Sequence, residues 1–200
     1  EEDPDGALTK EEQRSAFYCT TNMLKAKSLQ ESLGNALSCI GMYYNAVRAY
    51  IVALSEDGRT VTMLYEWKQL GKQSIQHAMS GIEIEKVPLL NRCMEKGVPV
   101  YMENNAPFWG RRNDEDNWNV LAYPLRERGR ITGFLCVENA GEYIGDVTLI
   151  RTLVPYILGE QKRFDSTNGG APAAGQDILT MMPNLNSYMD VVYSLNSDSY

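Results

Sequence analysis

The residues best suited to chemistry in this chain are large aromatics set close to paired charges. Tyr65 and Trp67 alternate along one predicted strand, and Phe108, Trp109 and Trp118 flank a stretch that also carries Arg111, Arg112, Asp114, Glu115 and Asp116. Aromatic walls bury a small molecule while a few polar atoms orient it, so this set reads as a binding pocket rather than a reaction centre. Arg111 and Arg112 can clamp a carboxylate or phosphate through paired hydrogen bonds, although the acids beside them also balance their charge. Tyr65 and Trp67 would serve equally well as core residues of a half-buried strand. His77, the single histidine, sits in a polar stretch with no neighbour suited to metal ligation or proton transfer.

Composition narrows the classes further. The 200 residues, 44% of them hydrophobic, suffice for one domain with a real core plus flanking elements. A net charge of −7 argues against a nucleic-acid or anionic-membrane surface, which needs a basic stripe. Glu1, Glu2, Asp3, Asp5, Glu11 and Glu12 concentrate acidity at the start, as expected of a solvated end. No apolar run reaches the ~20 residues of a membrane span, and no signal peptide is evident, so a cytoplasmic segment is expected. The missing initiator Met is compatible with an upstream region and a membrane anchor there. Cys19, Cys39, Cys93 and Cys136 form no C-x-x-C or Cys/His cluster, which argues for reduced, buried thiols and against zinc or a disulfide framework.

The elements that must position the aromatics follow from periodicity. Thr9 and Glu12 are spaced as a capping box for a helix to about Lys27, whose apolar residues Phe17, Met23 and Leu24 form only a thin stripe. Such a helix packs on another helix, of its own chain or of a second protomer. Ser28 and Glu31 open a second helix with Leu29, Leu33, Ala36, Leu37, Ile40 and Tyr44 on one face. Arg48 to Leu54 and Thr60 to Trp67 form a hairpin around Asp57-Gly58, with Val61, Met63, Tyr65 and Trp67 predicted to share a face. A short helix spans Pro88 to Lys96 and is stopped by Gly97. A strand at Pro99 to Glu103, a long loop from Asn104 to Asn117, and a hairpin of Val120 to Arg126 with Ile131 to Glu138 complete the sheet. The last helix, about Gly145 to Phe164, contains Pro155, which predicts a kink or boundary near Thr152. Residues 166–176 hold no large apolar side chain and form a linker with a reach of about 20 Å.

This order of elements resembles the GAF domain, from about Leu29 to Arg163. Arg48-Ala49-Tyr50-Ile51-Val52 is similar to the family's first strand, and Tyr65-Glu66-Trp67 to a second-strand motif of GAF domains fused to GGDEF domains. Val120 to Leu125 and Gly133 to Asn139 resemble the family's later hairpin. The resemblance implies an α+β, profilin- or PAS-like fold: an antiparallel sheet of about six strands, with the terminal helices on one face and a ligand pocket on the other beneath the Asn104 to Asn117 loop. Tyr123 and Glu138, on the hairpin that carries the resemblance, join Tyr65, Trp67, Phe108, Trp109, Arg111 and Trp118 as candidate ligand-binding residues.

Specialised members of that family set further expectations. No Cys precedes a His as bilin attachment would require, and Asn139-Ala140 departs from the Asn-Lys start of the cyclic-nucleotide motif. Neither a bilin nor a metal is expected, and the ligand is an unidentified small molecule. A thiol-dependent methionine sulfoxide reductase would need Cys93 and Cys136 as its pair and is a remote alternative.

Residues 177–188, Asp177-Ile178-Leu179-Thr180-Met181-Met182-Pro183-Asn184-Leu185-Asn186-Ser187-Tyr188, resemble the opening of a GGDEF (diguanylate cyclase-type) domain. Met181, Met182 and Leu185 replace the usual Gly, Leu and Arg. The expected organisation is an acidic N-terminus and linker helix over 1–27, a GAF-like domain over 28–165, a flexible linker over 166–176, and the truncated start of a GGDEF domain over 177–200. The expected function is non-catalytic sensing in a cyclic-di-GMP signalling protein, with the GGDEF domain as partner in cis and a homodimer formed through the terminal helices. A ligand-free dimerisation and relay module is the alternative.

Overall fold

Thr9 opens the first helix. Its hydroxyl accepts the Glu12 N–H, and the Glu12 carboxylate takes the Thr9 N–H in return, so the capping box satisfies donors that α1 (Lys10–Lys25) cannot pair internally. The computed structural model describes residues 8–103 and 119–168. At α2 (Leu29–Tyr43), Ser28 caps Glu31 as predicted, but the Glu31 carboxylate takes the N–H of Lys27, one residue outside the reciprocal box.

The buried stripe of α1 differs from the one expected. Ala16, Cys19 and Met23 face inward, while Phe17 is 63% exposed. Met23 was expected there, but the small residues Ala16 and Cys19 that complete the stripe are overlooked in a search for large apolar side chains.

Six strands form one sheet in the order β3-β2-β1-β6-β5-β4, with antiparallel pairing throughout. They are β1 (Arg48–Leu54), β2 (Thr60–Lys68), β3 (Ile82–Glu83), β4 (Val100–Glu103), β5 (Asn119–Glu127) and β6 (Arg130–Glu138). The expected fold is therefore the one observed. Five strands were legible; β3, two residues long, is too short to give an alternating pattern. Pro124 lies within β5, but β4 pairs with β5 only as far as Ala122. Beyond Ala122 one side of β5 is an edge, where a missing N–H is tolerated.

Helix α3 (Pro88–Lys96) starts on proline and ends at Gly97, whose φ of 65° lies in the left-handed region that glycine adopts without steric cost. Helix α4 (Thr148–Asn168) runs through Pro155 without the boundary expected near Thr152. Leu149, Ile150, Leu153, Val154, Ile157 and Leu158 are buried on both sides of the proline, and this packing outweighs the lost backbone bond of about 3 kcal/mol.

The sheet separates two cores. Helices α1, α2 and α4 cover one face with Ala49, Ile51, Leu121, Leu125, Leu135 and Val137 of the strands. On the other face Tyr50, Val52, Phe134 and Cys136 meet Leu89, Leu90 and Cys93 of α3.

Candidate functional site

A bulge decides which face each β2 side chain serves. Ile51 pairs with Tyr65 and Val52 with Met63, so Leu64 is an extra residue and the alternation reverses there. Val61 and Met63 join the α3-side core, while Tyr65 and Trp67 pack on the helix-side core. The expectation that these four residues share a face is thus corrected, because a strict period of two holds only in an unbroken ladder. Trp67 lies against α2 so closely that a Cβ built on Gly41 would fall 2.1 Å from its ring.

Of the other predicted residues, Tyr123 also packs on the helix-side core, whereas Glu138 lies on the α3 side of the sheet with Cys136 and Phe134. Phe108, Trp109, Arg111 and Trp118 lie outside the described residues. The structure therefore does not bring Tyr65, Trp67 and Tyr123 together with Glu138.

What it assembles around Glu138 is a buried charge cluster. Arg48 Nη1 donates to Glu138 Oε1 at 2.5 Å, Nε donates to Glu66 Oε1 at 2.8 Å, and Nη2 donates to the Gln73 carbonyl at 2.8 Å. Arg48 is 5% exposed and Glu138 fully buried. Glu66 also accepts the Ser74 hydroxyl and, at 3.1 Å, the Ile75 N–H. One planar guanidinium thus fixes two carboxylates and ties the ends of β1, β2 and β6 to the segment after β2.

The neighbours of this cluster are polar groups held neutral by burial. Tyr50 and Cys136 are cross-strand partners on the same face of the sheet. Burial pushes both the phenol and the thiol well above their ordinary ranges, and the carboxylate of Glu138 adds to this. Beside them Val120 pairs with Glu138, and the chain re-enters the described region at Asn119. Asn119 is fixed by Asn139 Oδ1 and the Ala140 carbonyl. Residues 104–118, with the predicted aromatic and arginine set, are therefore joined to β5 directly beside the cluster.

Arg48, Glu66 and Tyr50 were not among the predicted site residues. The available signal was a charge at the head of the apolar run Arg48–Leu54, and another between two aromatics at Glu66; each charge must be buried and paired if the strand is central.

The strand ends that hold the cluster lead directly into the helical layer. Tyr44 ends α2 just before β1, and its hydroxyl donates to the Asp146 carbonyl at 2.6 Å, just before α4. Its own carbonyl accepts the N–H groups of Gly141 and Glu142 at 3.0 Å. Tyr43 stacks on Tyr143 at 4.4 Å, and Tyr143 donates to Glu11 of α1 at 2.7 Å. At the far end of the layer the buried Glu160 of α4 accepts from Ser32 of α2 and from Arg163, and Arg163 also donates to the Met23 carbonyl of α1 at 3.0 Å.

A separate depression of about 690 Å³ opens between the β1–β2 and β5–β6 turns, lined by Asp57, Thr62, Arg128, Arg130 and Thr132. It lies at the opposite end of the strands from Arg48 and shares no residue with the predicted set. Among the described residues no group of three or more His, Cys, Asp or Glu is placed to hold a metal ion. No helix among them is long and apolar enough to cross a membrane.

Solved structures share this architecture. The GAF domain of an Acinetobacter phosphoenolpyruvate-protein phosphotransferase matches with a TM-score of 0.57 at 14% identity, over 82% of this chain and 100% of that one. The fold is a GAF fold. Residues 122 to 287 of a methyl-accepting chemotaxis protein match with a TM-score of 0.55 at 10% identity, over 76% of this chain and 99% of that one. A free methionine-R-sulfoxide reductase from Neisseria meningitidis, solved with its substrate, matches with a TM-score of 0.54 at 13% identity, over 82% and 96%. GAF folds thus occur in proteins of different function, and the fold alone does not choose among them. No family model and no curated protein matches the chain.

Proposed function

We propose that this GAF fold is a small-molecule-sensing regulatory domain, non-catalytic in this segment, whose ligand site is built on the α3 side of the sheet. The observation that carries this reading is the buried Arg48–Glu66–Glu138 cluster beside the point where residues 104–118 join β5. The cluster and Tyr50 are fixed polar groups, and the segment that enters β5 beside them carries Phe108, Trp109, Arg111 and Trp118 in its sequence. The ligand acts by favouring one of two arrangements of the terminal helices, which requires differential affinity for them. Arg48 and Glu138 are suited to this because β1 and β6 continue into Tyr44 and the 139–147 segment, which hold α1, α2 and α4 together.

The signal passes along α4 to residues 177–188, whose resemblance to a GGDEF opening makes cyclic-di-GMP turnover or binding the proposed output, in a cytoplasmic setting. The thiol-dependent reductase reading is disfavoured by burial, which pushes the Cys93 thiol up to about 12 and the Cys136 thiol up as well, so neither is poised as a nucleophile.

A second reading, a dimerisation and relay module, is favoured by one observation. Phe17 and Tyr18 stand 63% and 56% exposed on the outer face of α1. Sedimentation across a concentration series tests it: self-association lost in Phe17→Glu supports the module, and a concentration-independent monomer rejects it. A thermal-shift screen against a metabolite library tests the sensing reading. Stabilisation of the wild type that is lost in Trp109→Ala supports it, and no stabilisation by any compound rejects it.

A further inference from the structure

The depression between the β1–β2 and β5–β6 turns is walled by charges of opposite sign. Glu56 and Asp57 stand on the first turn, and Arg128 and Arg130 flank Gly129 on the second, with Glu127 before them. The two turns are neighbours because β1 pairs with β6 as far as Ala53 and Gly133. Leu54 and Ile131 add apolar lining to the space of about 690 Å³.

These walls do not neutralise each other. The Asp57 carboxylate is engaged only within its own turn, where Oδ1 accepts the Ser55 hydroxyl at 2.6 Å and the Arg59 N–H at 3.1 Å. Those bonds hold its pKa below the ordinary value, so it stays charged, and Oδ2 is left for another donor. The Arg130 guanidinium makes no hydrogen bond or ion pair among the described residues. Thr132 adds an independent observation. The β5–β6 register passes from Leu125–Gly133 to Arg126–Ile131, so Thr132 is the extra residue of a bulge and has no partner on β5. It lines the depression, and its hydroxyl oxygen is buried with no hydrogen-bond partner among the described residues. Buried polar atoms are almost always paired, so this hydroxyl at the edge of a charged depression is available to a bound molecule.

We infer that the depression is a second ligand site, separate from the one proposed above, and that it takes a small zwitterion of the amino-acid or dipeptide class, its carboxylate on Arg130 and its ammonium on Asp57. A simple anion entering between the turns meets Glu56 and Asp57, and a simple cation meets Arg128 and Arg130. A molecule carrying both charges suits both walls. The planar guanidinium matches a carboxylate through paired hydrogen bonds, Thr132 supplies a neutral polar contact, and Leu54 and Ile131 receive an apolar side chain. No residue of the Arg48 cluster takes part, because that cluster lies at the opposite end of the strands.

Nuclear magnetic resonance titration of the full chain with each free α-amino acid and with the dipeptide alanyl-leucine tests this inference. The expected result is saturable shifts of the Gly58, Gly129 and Thr132 amides with at least one of these compounds, and comparison of free amino acid with dipeptide tells which of the two the site takes. N-acetylation or C-terminal amidation of that ligand, Asp57→Asn and Arg130→Gln should each weaken binding about tenfold, as the loss of one charge-assisted hydrogen bond would. Trp109→Ala should leave it unchanged. No shift with any of these compounds, equal binding by a derivative that lacks one charge, or an affinity unchanged in both charge variants overturns the proposal. A loss of binding in Trp109→Ala overturns it too, because the ligand then belongs to the other site. Asparagine is favoured before glycine in a hairpin turn, so Asp57→Asn preserves the turn, and dispersed amide spectra check the folding of each variant.

Discussion

Trp67 occupies the space that a side chain at residue 41 would need. A Cβ built on Gly41 falls 2.1 Å from Cζ3 and 2.2 Å from Cε3 of the Trp67 ring. The bulge at Leu64 turns the ring to this side of the sheet, and the glycine in α2 leaves room for it. Gly41→Ala is therefore expected to destabilise the fold by roughly 1–3 kcal/mol through overpacking, and Trp67→Ala by about 3 kcal/mol through the cavity it leaves. The pair should be strongly non-additive, because with the indole gone an alanine at 41 meets no obstacle. Denaturant unfolding of the two single variants and the double variant measures the coupling; additive losses would show that the contact does not set the sheet–helix spacing.

Replacing Arg48 with Met is expected to cost about 3–5 kcal/mol, because it leaves the Glu66 and Glu138 carboxylates together in a buried site without their shared guanidinium. Arg48→Lys should recover only part of the loss, since one ammonium cannot reproduce the planar set of contacts to Glu66, Glu138 and the Gln73 carbonyl. Urea midpoints measure both. A lysine variant as stable as the wild type would mean that charge alone, rather than the fork, holds the cluster.

These two sites also mark how far the sequence could be read. The capping residue Thr9, the proline-to-glycine span of α3 and both hairpins were legible because each is set by a local rule of capping, backbone angle or alternation. The bulge was not legible. Val61, Met63, Tyr65 and Trp67 alternate without a break in sequence, and only pairing with β1 shows where the ladder slips. The same limit hid which candidates share a face, since Tyr65, Trp67 and Tyr123 cannot be told apart from Glu138 in this respect until the faces of the sheet are known. Of the two outcomes expected at Pro155, the boundary does not occur, because residues on both sides of the proline are buried in one core.

Ser32→Ala is expected to loosen the far end of the helical layer, because it removes a donor to the buried Glu160 at a cost of about 1–2 kcal/mol. Hydrogen exchange should quicken in α1 and α4 near Met23 and Arg163 while the β1–β6 ladder keeps its protection. Uniform acceleration across the sheet would instead show that the three helices and the sheet open as one unit.

Stability should fall at alkaline pH. Cys93 is held as a thiol by burial, its pKa raised from the ordinary 9.0 to about 12. Between those values the unfolded chain has released a proton that the folded chain keeps, so the folded state binds more protons and loses stability as pH rises. Burial raises Tyr44 and Tyr50 as well, and they add to the loss at the upper end of this window. Urea midpoints across the window should decline, and Cys93→Ala should decline less steeply; parallel slopes would exclude Cys93 as a contributor.

We propose that a small molecule held on the α3 side of the sheet, at Arg48 and Glu138, acts on the terminal helices. Hydrogen exchange of the full chain with and without a compound found by thermal shift tests it most directly. The expected result is slower exchange around β1, the end of β6 and residues 104–118, together with altered exchange in α1 and α4, both changes disappearing in Trp109→Ala. Protection confined to the depression between Asp57 and Thr132, or protection at the cluster with α1 and α4 unchanged, would contradict it.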